Sequence, residues 1–197
     1  LARYCARAAQ GHIGRARALA LNDEARARRH EILALPARLN NLTDCLTAAE
    51  NLVASASQEA SDLTAELDAR EMAELQAALG MGTKRVKARG TQGAIKDLED
   101  QQKARVKRFQ RDALDRVLTE LTGYYRDVLA CQTAPGVPFV NADIASEIAA
   151  FAGRTSPEQT VRALDALLDA RKALEGNVAP QLALEAMLLG LGRASHR

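Results

Sequence analysis

The stretch GAIKDLEDQQKARVKRFQRDALDRVLTELTGYYRDVLACQ, from Gly93 to Gln132, decides how this chain folds. It contains no proline, and between its first residue and Gly123 no further glycine. Ile95, Leu98, Val106, Phe109, Ala113, Val117, Leu121, Tyr124 and Val128 are separated by multiples of three or four, which puts them on one face of a helix. At 1.5 Å per residue that helix would run about 60 Å, too long to bury its own stripe. The rest of the sequence reads as what packs against it.

Working outward, the nearest partner precedes it. Leu46, Ala49, Val53, Ala56, Ala60, Leu63 and Leu67 form a heptad seam with small residues that allow close approach. Asn41 or Thr43 can cap this helix, which is expected to end near Leu79. Two long helices joined by a short connection make an antiparallel hairpin. Its tip, Gly80 to Gly93, is glycine-rich and carries Lys84, Arg85, Lys87 and Arg89. Such a cluster could neutralise phosphates, but it lacks aromatic residues for base stacking, and a solvated turn is the expected reading.

Upstream, three short helices are expected: Leu1 to Gln10, closed by Gly11; His12 to Leu21; and a third capped by Asn22 or Asp23 and stopped at Pro36. Arg26, Arg28 and Arg29 on the third read as a solvated face. Pro36 to Asn41 is a joint, so residues 1–36 and 37–197 are expected as separate domains. Downstream, Pro135-Gly136-Val137-Pro138 ends the long helix and a short one follows from Asp143 to Ala152. Ser156, Pro157 and Gln159 then spell a capping box for a helix expected to stop with Gly176 at C′.

The last helix, Ala179 to Leu191, is apolar on nearly every side. A helix of that kind needs cover all round. Leu182, Met187 and Leu189 share no stripe with Leu184, Leu188 and Leu191, so one set is expected inward and the other against a neighbouring subunit. Leu121, Tyr124 and Tyr125 are expected to join that interface.

Composition agrees with an all-α chain. Ala, Leu, Arg and Glu dominate, aromatics are 3%, and β-branched clusters are missing. The net charge of +2 does not by itself imply nucleic acid. Cys5, Cys45 and Cys131 are scattered and odd in number, as are His12, His30 and His196, which argues against zinc and for buried or incidental thiols in a reducing, cytoplasmic setting. The apolar run Leu182 to Leu191 is too short to span a bilayer. No clustered His, Cys or carboxylate set suggests an enzyme, and no cofactor or small-molecule substrate is implied. The text opens on Leu1 in mid-helix, so a longer protein is expected.

Asn177-Val178-Ala179-Pro180-Gln181-Leu182-Ala183-Leu184-Glu185-Ala186-Met187-Leu188-Leu189 resembles the closing segment of bacterial clamp-loader subunits. Leu121 to Leu129, followed by Asn141-Ala142-Asp143, resembles the helix and loop before it in the same family. The resemblance is to the delta-prime type of DNA polymerase III, of actinobacterial flavour. It implies that residues 1–36 are the end of an AAA+ lid and residues 37–197 a helical collar. It also implies a non-catalytic subunit whose partners are the tau/gamma-type ATPases and delta, and through them the sliding clamp and primed DNA. Gly11-His12-Ile13-Gly14-Arg15-Ala16 falls where the family's sensor-2 motif has Gly followed three places later by Arg. Here the third place is Gly14, and Arg15 is rotated by about 100°, which counts against nucleotide contact. The alternative from another class is a stand-alone helical hairpin that binds DNA or acts as a scaffold through the basic tip.

Overall fold

In a computed structural model the described residues are 1–80, 91–134 and 136–195. Among them the fold is all-α: α1 (Ala2–Ala9), α2 (Ile13–Leu21), α3 (Asp23–Ala34), α4 (Leu42–Ala78), α5 (Thr91–Thr133), α6 (Ala145–Ala152), α7 (Pro157–Glu175) and α8 (Pro180–Ser195). Short 3-10 turns at Leu35–Ala37 and Ala142–Ile144 lead out of α3 and into α6. Helix boundaries follow local chemistry. α1 closes through Gln10 and Gly11, both at positive φ. The ring Nδ1 of His12 accepts the Arg15 N–H to start α2, and Asn22 accepts from Ala25 to start α3. Of the two caps open for α4, Asn41 is the one used, accepting the Asp44 N–H at 2.9 Å.

The chain divides into two compact units. One is Leu52–Leu114, the facing parts of α4 and α5. Ser57 pairs with Gln110, Asp68 with Gln102 and Arg105, and Glu71 with Arg105, so partner numbers fall as the others rise and the helices are antiparallel. The seam departs from the heptad expectation at both ends: Leu46 is 39% exposed while its neighbour Cys45 is buried, and the stripe shifts again beyond Ala60. Leu63 is 60% exposed, and Thr64 takes the buried position at 2%. Continuing through Asp68 and Glu71, the facing stripe becomes polar, and Arg105 bonds both carboxylates at 2.6 and 2.8 Å. A step of four in place of three shifts the stripe by one residue, about 100° around the helix, enough to turn Leu63 out.

The other unit joins Leu1–Asn51 to the chain from Asp115 on, so α1–α3 share a unit with α6–α8. Its core holds Leu118, Leu121, Tyr124, Tyr125 and Val128 of α5, Ile148 and Phe151 of α6, Leu167 of α7, and Leu184, Met187, Leu188 and Leu191 of α8. Tyr124, Tyr125 and Phe151 meet edge to face with centroids 5.4 to 6.0 Å apart. Each such pair contributes about 0.5–1.5 kcal/mol beyond area burial. Ser156 and Gln159 complete the expected capping box at the start of α7. Its end differs from expectation: Gly176 has φ −77, and Asn177 at φ 60 is the left-handed residue. Val178 N–H bonds Ala173 O and Asn177 N–H bonds Leu174 O, a Schellman closure one residue later. α7 and α8 then pack so closely that a Cβ added at Gly190 would lie 2.9 Å from the Ala166 Cβ.

Candidate assembly surface and a buried polar hub

α3 turns Arg29 and Leu33 inward, with Pro36 buried beyond them. Arg29 is only 3% exposed, so its place on a solvated face is corrected. The spacing of Arg29, Leu33 and Pro36, four and then three residues, was the available signal. The guanidinium uses every nitrogen. Nε donates to Glu120 Oε2 at 3.1 Å, one terminal nitrogen to Tyr4 Oη and Asp143 Oδ2, and the other to Asn141 Oδ1. Arg15 of α2 ion-pairs with the second oxygen of Glu120. Burial works against the Arg29 charge, but Glu120, Tyr4 and Asp143 outweigh it and hold its pKa above the ordinary arginine value. Arg15 is thereby committed to an internal carboxylate.

Asp127, fully buried, continues the network. It accepts from the backbone N–H groups of Val140 and Asn141 at 3.0 and 2.7 Å, and from Asn141 Nδ2 at 2.9 Å. The segment after α5 is therefore tied back onto that helix, and Asn141 bridges Asp127 to Arg29. Asp127, Asn141 and Asp143, which the family resemblance singled out in two separate stretches, stand in one cluster.

The residues expected at a subunit interface divide sharply. Leu121, Tyr124, Tyr125, Leu184, Leu188 and Leu191 are all at most 3% exposed, covered by the chain's own atoms. Burial pushes the Tyr124 phenol well above its ordinary range. Leu182 is 60% exposed, with Val178 at 42% and Ala186 also exposed. Met187, grouped with Leu182 from the sequence, is buried at 1% and so parts from it. Five residues turn a helix by about 140°, whereas three place Met187 beside Leu184. The face that α8 leaves open is therefore a narrow strip through Leu182 and Ala186. Lys84, Arg85, Lys87 and Arg89 lie outside the described residues.

A depression of about 370 Å³ is lined by Ala130, Cys131, Ala134, Gly136, Val137, Phe139 and Ala142. It offers apolar surface and one thiol, with no charged group to orient a ligand. Among the described residues no group of His, Cys, Asp or Glu is placed to hold a metal ion. No helix among them is long and apolar enough to cross a membrane.

The described residues thus present an all-α arrangement with a polar interior hub and a narrow open apolar strip on α8. Residues 101–193 match the family model described as DNA polymerase III, delta subunit, C terminal. The matched region, just under half of the chain, runs from within α5 to within α8 and contains Glu120, Asp127, Asn141 and Leu182. The match supports the clamp-loader family and names delta where the sequence resemblance pointed to delta-prime. No curated protein and no solved structure matches the chain.

Proposed function

We propose that this chain is a non-catalytic subunit of a bacterial clamp loader, of the delta rather than the delta-prime type. In this reading its C-terminal helices mediate assembly with the ATPase subunits and the remaining members of the loader. The sliding clamp and primed DNA are then partners of the whole complex. The observation that carries the reading is the match of residues 101–193 to the delta C-terminal family. The open strip at Val178, Leu182 and Ala186, inside or beside that region, supports it, because an exposed apolar strip is a contact surface for another protein. Residues 1–36 are read as the end of a lid and residues 37–197 as the collar that follows. Size measurement of the chain alone and mixed with loader ATPase subunits tests the proposal. A shift to a larger species that Leu182→Asp abolishes is expected; the absence of any complex with the unaltered chain overturns it.

A further inference from the structure

α1–α3 are held to the rest of their unit differently from α6–α8. Their own apolar cluster is small: Cys5, Ala8 and Leu19, with Tyr4 and Ala25 packed against it. Outside that cluster they bury only Ala9 and Leu33 as apolar residues, beside the buried Arg29, and the ion pairs Arg15–Glu120, Arg29–Glu120 and Arg29–Asp143 cross the joint. α7 and α8, by contrast, are joined through Leu167, Leu174, Leu184, Met187, Leu188 and Leu191. The two joints have different physics. An apolar joint loses its burial free energy on opening. A buried ion pair recovers the hydration of its charges, which offsets much of the attraction lost.

We propose that α1–α3 undock as a unit from the α5–α8 body, with Arg29 and Glu120 forming the latch. Directional bonds make the latch close to all-or-none. Arg29 meets Glu120, Asn141, Asp143 and Tyr4 only in one position of α3, so a partial displacement loses several bonds together. Elements held by few apolar contacts supply the low-stability end of a protein's local unfolding. This device would let the N-terminal helices reorient while the body bearing Leu182 keeps its packing. It operates whatever the chain assembles with.

Native-state hydrogen exchange on the full chain across low urea concentrations tests it. Amides of residues 2–34 should exchange at least tenfold faster than those of residues 157–191, through an opening with a smaller urea dependence. Glu120→Gln, which leaves two arginines without their shared carboxylate, should speed exchange in residues 2–34 by a further tenfold or more and change residues 157–191 less than twofold. A single shared opening in the unaltered chain overturns the latch, and that measurement stands even if Glu120→Gln fails to fold. Equal acceleration of both segments by the variant, or of neither, overturns it as well.

Discussion

Asp127 and Asn141 are joined twice: the carboxylate of the first accepts both the backbone N–H and the side-chain amide of the second, at 2.7 and 2.9 Å. This pairing closes the segment between α5 and α6 onto α5 and leaves the Asn141 oxygen for Arg29. Asp127→Ala removes the acceptor from the Val140 and Asn141 donors, the latter fully buried. A loss of about 3 kcal/mol is expected in chemical denaturation of the chain. Asp127→Asn, which retains one acceptor oxygen, should cost less. Equal and negligible losses in both variants would show that the segment is held by other contacts.

In the hairpin unit, hydrogen bonding from Arg105 is the main reason the Glu71 carboxyl is held below its ordinary range; desolvation opposes it in part, and Gln102 adds a smaller lowering. A carboxylate with a lowered folded pKa contributes stability that is fully present above its unfolded pKa of about 4.3 and is lost as pH falls through the folded value. The thermal midpoint should therefore hold from neutrality to about pH 5 and drop below it. Glu71→Gln should be less stable at neutral pH and show a smaller acid drop. Identical acid profiles for the two proteins would remove Glu71 from the account.

Leu182 and Leu188 lie on the same helix with opposite surroundings, 60% and 0% exposed. Leu188→Asp, like Leu184→Asp and Leu191→Asp, places a charge in the core and should cost several kcal/mol, on the order of the chain's whole stability. Leu182→Asp should leave the thermal transition within a few degrees and weaken assembly with partner subunits at least tenfold. Binding unaffected by Leu182→Asp would move the contact surface elsewhere.

Gly190 is where α8 approaches α7 most tightly. Gly190→Ala improves helix propensity by about 1 kcal/mol, but its Cβ would sit 2.9 Å from Ala166 Cβ, which has no flexible end to yield. Overpacking of this kind costs about 1–3 kcal/mol, so net destabilisation is expected. Adding Ala166→Gly should relieve it. A Gly190→Ala chain more stable than the original would show that the two helices separate freely at this point.

The amino-acid sequence by itself determined the elements. Spacings in multiples of three or four along Ile95 to Val128 define the long helix, and Ser156 with Gln159 sets the start of α7, because periodicity and capping are encoded within a few neighbouring residues. Near-identical local alternatives were harder to separate: Asn177 rather than Gly176 takes the left-handed position, since both residue types tolerate it. For α3 and α8 it was the tertiary structure that decided which side is covered. The spacing of Arg29 with Leu33 and Pro36 hints at an inward face, but its partners Glu120 and Asp143, 91 and 114 positions away, are brought to it only by folding. Leu182 and Leu184 are the same residue two positions apart, and only the packing of α8 buries one and leaves the other open. Charge pairing and face selection depend on partners distant in sequence, and folding supplies those partners only when the helices assemble.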